Sequence, residues 1–346
     1  MIFWEGVDLR SAAWAAVQSK TIYPPTHTAL IQPPILAYAT LRVYENDKDP
    51  EFLDEMLPKL KKYYLWLLEN RDPDDDGLIS NISPYETGLD LSPAYAPPLG
   101  LKKTAASREM AQAAFGVELR NRIAGYDLEK IFSKNYFNVE DVLVNTFLAQ
   151  SLRALSQLCL ENEELEESQK FGKLAEKTEE AILAKCRGKD GGFYSLYTDR
   201  RGEEVMSEAL TFTSLIPLLL RKIKEEDVDN LISDIFDPNK FWTPYPVPSV
   251  AVSDAAFRTG DGTMWGGSSW APTIWALHEG LRMHGRNIEA DVLSARAGYL
   301  GKATREYHNP FNGRGYGANG FTWAPALYCD MLKSVKNGNG KSVSPH

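Results

Sequence analysis

The helical periodicity of its apolar residues constrains the fold of this 346-residue chain more than any other feature. In residues 50–70, apolar side chains recur at steps of three and four, with lysines between them on the opposite face. This is the pattern of an amphipathic α-helix. Residues 138–160 and 286–304 repeat it, and no convincing alternation typical of strands occurs, so the sequence predicts an all-α protein. Further helices are predicted over 7–19, 33–46, 104–122, 163–186, 203–222, 225–235, 268–284 and 321–334.

The predicted helices come as pairs in which an apolar helix precedes a charged one. The acidic segment 162–186 follows the apolar segment 138–160, and the charged segment 50–70 follows the apolar segment 33–45. This alternation predicts a closed toroid of helical hairpins whose outer ring carries the charge. No short repeat and no domain linker is visible. The prediction is therefore a single domain over residues 1–335, with residues 336–346 as a flexible tail.

Composition excludes several classes of function. The net charge of −9 argues against nucleic acid or an anionic membrane surface as the main partner. No segment reaches the roughly 20 apolar residues that a membrane span requires, and the acids among the first ten residues do not fit an export signal. Three widely separated cysteines form neither a disulfide framework nor a zinc motif and suit a reducing compartment. We therefore expect a cytoplasmic protein, either a monomer or a homo-oligomer.

Three segments imitate ligand-binding motifs. DPDDDGL (72–78) matches the start of a calcium loop, but the twelfth position is Ser83 instead of glutamate, so a solvated turn is the better interpretation and calcium stays open. HEGLRMH (278–284) places its histidines six apart, on opposite faces of a helix. GRGYGANG (313–320) lacks the strand and the Gly-Lys-Ser/Thr end of a phosphate loop. No metal and no cofactor are predicted.

Acids and aromatic residues cluster at four predicted helix ends. The segments are QPP (32–34), SPYETGLDLSPAY (83–95), MWGGSSWAP (264–272) and residues 304–328, in which Glu306 is predicted to end a helix. The mouth of a helical toroid is lined by residues at helix ends, so the four segments are predicted to lie there. Two acids, several rings and an amide are the components of a glycosidase: one carboxylic acid protonates the departing oxygen, a carboxylate activates water, and rings stack on sugar faces. Singly, each segment is more often a cap, a solvated charge or core packing. Their co-occurrence favours carbohydrate chemistry.

These segments resemble the motifs of glycoside hydrolase family 63. YETGLDLSPAY resembles that family's W-E-S-G-L/M-D-N-S-P, and MWGGSSWAPTIW resembles Y-W-R-G-P-V-W. The run from REYHNP to TWAPALY resembles E-Y-x-x-P-x-T-G…F-x-W-T-A-A-L, and IQPPILAYA resembles the Q-P-P helix start. The motifs occur in family order between about residues 30 and 335. The resemblance implies an (α/α)6 barrel, and the weak match before Gln32 allows for a barrel that lacks its first helices.

The resemblance also implies a mechanism and its residues. It implies an inverting, exo-acting α-glycosidase that removes a terminal α-glucosyl or α-mannosyl residue, with Asp90 as general acid and Glu306 as general base. Their carboxyl groups should lie roughly 6.5–9.5 Å apart. Asp90 should be protonated, so burial or a nearby acid such as Glu86 should raise its pKa. Glu86 is implied to bind sugar hydroxyls. The remaining residues implied to line the sugar subsite are Gln32, Tyr85, Trp265, Trp270, Tyr307 and Trp323.

The chain departs from the family motifs at several positions. Tyr85 replaces the usual Trp, and Leu91 replaces the usual Asn. Gly266 replaces an Arg, which removes a charge near the implied sugar site and weakens the case for carboxylate-bearing substrates such as mannosylglycerate. Other functions on this architecture stay open: a trehalase- or glucoamylase-like hydrolase, a sugar epimerase, or a truncated, weakly active carbohydrate-binding homologue.

Overall fold

The computed structural model describes residues 30–301 and 304–338, and the statements below concern these residues. The predicted helix over 7–19 lies outside them. In the described part, ten α-helices carry most of the structure. They are α1 (Leu36–Asp47), α2 (Pro50–Arg71), α3 (Ser107–Ile123), α4 (Leu128–Lys134), α5 (Val142–Glu161), α6 (Leu165–Lys185), α7 (Glu225–Ile235), α8 (Ala271–Met283), α9 (Asn287–Arg296) and α10 (Trp323–Gly338).

The helices form an inner and an outer layer. Helices α1 and α5, the 3-10 helix Phe212–Leu219, α8 and α10 contact one another in that order, while α2, α6, α7 and α9 pack against them. Thirteen of the 20 residues of α5 are buried, against six of the 21 residues of its partner α6. The predicted pairing of an apolar helix with a charged one therefore corresponds to an inner helix and its outer neighbour.

Capping residues explain where two of these helices begin. Asp49 accepts a hydrogen bond from the Glu51 amide at 3.0 Å, and Pro50 occupies the first helical position of α2. Asp141 accepts bonds from the amides of Leu143 and Val144 at the start of α5. Such caps satisfy backbone donors that have no partner within the helix.

The predicted helix over 203–222 is wrong. The segment holds a strand, β3 (Glu204–Met206), and the 3-10 helix Phe212–Leu219. All eight residues of the 3-10 helix are buried, so it has no amphipathic stripe, and Pro217 within it cannot donate the hydrogen bond of a regular α-helix. Periodicity also missed β1 (Val139–Glu140) and β2 (Leu196–Thr198), which form an antiparallel sheet with β3 in the order β1-β2-β3.

Further differences concern the ends of elements. The helix predicted over 286–304 ends at Arg296 and continues as a 3-10 helix over Ala297–Gly301. A second antiparallel sheet follows, β4 (Arg305–His308) with β5 (Gly315–Asn319). Helix α4 was not predicted. Helix α10 extends to Gly338, into the segment predicted as a tail. None of the described helices is long and apolar enough to cross a membrane.

Candidate active site

The loop that carries Asp90 is built from two short 3-10 turns, Pro84–Glu86 and Pro93–Tyr95. The prolines at their first positions set the backbone angle that such turns need. Between the turns, Gly88 and Leu91 have φ of +70° and +65°, which reverses the chain on either side of Asp90. Left-handed backbone is costly for leucine, so this turn is held in place by its surroundings. It presents Asp90 at a tightly bent position.

Glu306 lies on β4 and does not end a helix, which corrects the prediction. Its Oε2 atom accepts a hydrogen bond from the Ala318 amide at 2.9 Å. The neighbouring Gly317 on β5 has φ of +66°, and a Cβ there would lie 2.7 Å from the Tyr307 ring and closer still to Glu306 Oε2. Only glycine lets the backbone approach the carboxylate this closely. The glycine-rich segment 313–320 thus serves the β4–β5 hairpin and its acid.

The electrostatics place Asp90 and Glu306 in one site. Burial raises the pKa of Asp90 from 3.8 to about 6, and the negative charge of Glu306 adds to the shift. A charge acts in this way only over a short distance in a poorly screened environment. Asp90 also lines a small recess, together with Tyr85 and Tyr95. The site therefore contains one carboxyl group with a raised pKa and a second carboxyl group whose charge acts on it.

Glu86 does not have the predicted contact with sugar. Its side chain is 0 % exposed and forms a bidentate ion pair with Arg71, with N···O distances of 2.7 and 3.0 Å. The same two oxygens accept hydrogen bonds from the amides of Ile31 and Ile82. With its oxygens bonded and buried, Glu86 fixes the loop to the end of α2 and to the segment before α1. Nor is Glu86 among the causes of the raised pKa of Asp90.

Aromatic rings form a continuous stack beside the two acids. Trp265 stacks on Trp270 with centroids 4.1 Å apart, and Trp270 stacks on Tyr307 at 4.7 Å. Phe212, a residue that the sequence did not suggest, extends the stack beyond Trp265 at 5.3 Å. Trp265, Trp270 and Tyr307 are only 5, 2 and 3 % exposed. Their faces are occupied by one another, so these rings have little surface left for a sugar and act mainly as a wall.

The stack connects the two acids. Next to Phe212 in the stack, Trp265 donates its backbone amide to the Asp90 carbonyl at 3.3 Å. At the other end, Tyr307 is the chain neighbour of Glu306 on β4. Burial and the charges of Asp261 and Glu306 raise the pKa of the Tyr307 hydroxyl to about 12. A column of stacked rings therefore runs from the loop of Asp90 to the strand of Glu306.

The other predicted subsite residues differ in their placement. Gln32 Nε2 donates to the carbonyls of Ile31 and Tyr85, both at 2.9 Å. Burial and the Asp90 charge raise the pKa of Tyr85, so both side chains belong to the region of the acid loop. Trp323, the first residue of α10, is 43 % exposed and lies 5.7 Å from the Phe321 ring. None of the contacts in the described ranges joins Trp323 to either acid.

A separate group of carboxylates lies by the calcium-like loop. Its four members have oxygens within 4.8 Å of one another: Asp74, Asp76, Glu140 and Glu204. Oxygen ligands of this kind suit calcium, but Lys185 lies among them, in contact with Asp76 and 2.7 Å from Glu204. Asp72 instead accepts hydrogen bonds from the amides of Asp76 and Gly77. Within the part of the chain described, Lys185 supplies this group with positive charge.

Comparison with known proteins identifies the relatives of this chain. A family model, "Mannosylglycerate hydrolase MGH1-like glycoside hydrolase domain", matches residues 1–324. The mannosylglycerate hydrolase of Thermus thermophilus is 27 % identical over 336 residues, which cover 88 % of this chain and 77 % of the relative. That of Rubrobacter radiotolerans is also 27 % identical, over 338 residues, with 89 % and 76 % covered.

Solved structures agree with these relatives. The crystal structure of the family 63 mannosylglycerate hydrolase from T. thermophilus in complex with glucose has a TM-score of 0.78, at 27 % identity, and covers 90 % of this chain and 78 % of that one. Neutral trehalase from Saccharomyces cerevisiae, at 17 % identity and a TM-score of 0.55, covers 88 % of this chain and 62 % of that one and is alike in fold alone. The likenesses confirm the predicted (α/α)6 barrel.

Proposed function

The chain belongs to the mannosylglycerate hydrolase MGH1-like glycoside hydrolases, within family 63, and from this premise we propose that it is an inverting, exo-acting α-glycosidase. In this proposal Asp90 is the general acid and Glu306 the general base. The observation that carries it is the pKa of Asp90, raised to about 6 by burial and by the charge of Glu306. A carboxyl group with a raised pKa beside a second carboxyl group is what acid–base glycoside hydrolysis requires.

The reaction proceeds by one displacement. Protonated Asp90 donates its proton to the glycosidic oxygen as the bond from that oxygen to the anomeric carbon breaks. Glu306 takes a proton from a water molecule, whose oxygen attacks the anomeric carbon from the opposite face. An α-glycoside thus yields a β-sugar and a free alcohol. The Ala318 amide, which donates to Glu306 Oε2, leaves the other carboxylate oxygen to orient the water.

For the substrate, we propose an α-mannosyl or α-glucosyl residue linked to a small acid of the glycerate type. The two relatives named above are mannosylglycerate hydrolases. The T. thermophilus enzyme has been crystallised with glucose, and also with Tris and D-glycerate. The closed stack of Trp265, Trp270 and Tyr307 leaves little ring surface to hold further sugar units, which supports a short substrate over a polysaccharide.

Hydrolysis of a panel of small glycosides tests the proposal. The panel contains the α-mannosyl and α-glucosyl conjugates of glycerate and of glycerol. Asp90→Asn and Glu306→Gln should each lower kcat/KM about 10²- to 10⁴-fold, the usual contribution of a general acid or base. Glu69→Gln, an exposed change on α2, is the matched control. Proton NMR should show the β-anomer as the first product.

Two results would contradict this assignment. If either variant kept most of the wild-type kcat/KM, its carboxyl group would not take part in the reaction. If the α-anomer appeared first, the mechanism would retain configuration and Glu306 could not act as the base of a single displacement.

A further inference from the structure

A loop between the two acids carries an arginine that the proposed mechanism does not use. This bridging loop, residues 258–266, is closed at its root by a hydrogen bond of 2.8 Å from the Arg258 amide to the Gly266 carbonyl. Near its middle, the Gly262 amide donates to the Tyr307 hydroxyl at 2.9 Å. Its residue Trp265 is bonded to the Asp90 carbonyl, as described above. The root of the loop is therefore fixed relative to both sides of the site.

The Arg258 guanidinium has one nitrogen with a hydrogen-bond partner and two nitrogens without one. Nη1 donates to the Ala105 carbonyl, whereas Nε and Nη2 are buried and have no hydrogen-bond partner. Arg258 also forms no ion pair with any carboxylate in the described ranges. Burial alone lowers its pKa. A buried cation with unpaired donors and no counter-charge is costly, which indicates a place kept for an anionic ligand.

The geometry of the unused donors suits a carboxylate. Nε and Nη2 form one edge of the planar guanidinium, and such an edge binds the two oxygens of a carboxylate side by side. The edge faces Gly266: a Cβ on this glycine would lie 3.6 Å from Nε and 3.7 Å from Nη2. Gly266 therefore places no side chain against this edge of the guanidinium.

We propose that Arg258 binds the carboxylate of the leaving group and thereby selects anionic glycosides. The inference rests on the proposed function and deepens it. It also resolves a difficulty of the sequence, where Gly266 occupies the position of an arginine in the resembling motif. In this chain a guanidinium comes from the root of the bridging loop, eight residues earlier, and lies beside the point where a side chain at residue 266 would begin.

The test compares two substrates that differ only in the carboxylate. For the sugar that the enzyme hydrolyses faster, kcat/KM is measured with the glycerate conjugate and with the glycerol conjugate. Arg258→Met should lower the ratio of these two values about 10- to 100-fold, the range expected for a hydrogen-bonded charge, with the larger part of the change in KM. Arg258→Lys, which keeps the charge but not the planar edge, should fall between. Arg201→Met, an exposed arginine in the β2–β3 turn, should not change the ratio.

Binding of D-glycerate itself separates this inference from the proposed function. By titration calorimetry, wild type should bind D-glycerate at least tenfold more tightly than Arg258→Met, and glycerol should show no such difference. Equal D-glycerate affinities, or an unchanged substrate ratio, would overturn the role of Arg258 while hydrolysis stands. Failure of wild type to hydrolyse any of the glycosides would overturn the proposed function, while the calorimetry still decides on Arg258. If Arg258→Met does not fold, Arg258→Lys serves in the same titration.

Discussion

Replacing Asp90 by Asn should make the protein more stable at neutral pH as it removes activity. Burial and the charge of Glu306 raise the pKa of Asp90 from 3.8 to about 6 in the folded protein. In the unfolded chain the group loses its proton near its ordinary value. Between about pH 4 and 6 the unfolded state therefore binds fewer protons than the folded state, and the free energy of unfolding falls as pH rises through this window.

The size of the effect follows from the shift in pKa. A shift of about two units at about 1.4 kcal/mol each corresponds to ~3 kcal/mol once the pH is above 6. Asp90 keeps some contact with solvent, so we expect about 1–3 kcal/mol. Asparagine has nearly the same shape and carries no charge. Asp90→Asn should therefore unfold with a free energy about 1–3 kcal/mol higher than wild type at pH 7.5, with little gain at pH 4.

Urea denaturation at pH 4 and at pH 7.5 measures this difference. Asp54→Asn, an exposed change on α2, is the control and should shift stability by less than about 0.5 kcal/mol. In parallel, the kcat/KM of wild type should fall about tenfold per pH unit above pH 6, because Asp90 must be protonated in the free enzyme. An equal gain at both pH values, or no gain at pH 7.5, would refute the argument from burial and charge.

Three further changes test other parts of the structure. Arg71→Met should lower the free energy of unfolding in urea by about 3–5 kcal/mol, because it leaves the buried Glu86 carboxylate without its cation. Gly317→Ala should lower kcat/KM more than tenfold, because its methyl group must displace the Glu306 carboxylate; an unchanged value would show that the β4–β5 hairpin adjusts freely. Glu140→Gln should raise stability by up to ~4 kcal/mol at pH 8 and hardly at pH 4.5. Burial and the charge of Asp76 raise the Glu140 pKa from 4.5 to about 8, so the wild-type protein loses stability as the pH rises from about 4.5 to 8. Identical curves of stability against pH for wild type and Glu140→Gln would contradict this.

The long helices could be predicted from the sequence because their signal is local and repeated. In α2, the buried residues Leu53, Leu60, Tyr64 and Leu67 are among those that the three- and four-residue steps selected. The strands could not be predicted in this way. A strand of two to five residues, such as β1 or β4, is too short to show a period, and its partners lie far away in the sequence.

The site was harder to predict from the sequence than the fold. Glu86 and Asp90 lie four residues apart in one loop and look equivalent in the sequence. Their difference depends on Arg71, which reaches the loop from the end of α2, and on Glu306, which reaches it from β4. A local pattern contains neither contact. One signal was available: Gly313, Gly315 and Gly317 alternate in a short segment, as glycines do where a backbone lies close to a neighbouring strand.

The two acids of this loop have opposite effects on the folded state, and the proposed chemistry depends on both. Glu86 is fully paired with Arg71 and two amides, so it anchors the loop without being free to react. Asp90 lies beyond this anchor, on a turn whose Leu91 has left-handed backbone, and the charge that acts on it is that of another acid. If Glu86 did not hold the loop, Asp90 could turn toward water and lose its raised pKa. Weakening the Arg71–Glu86 pair in a variant that still folds should therefore move the descending limb of the pH–activity profile to lower pH. An unmoved limb would show that the aromatic stack alone holds Asp90 in place.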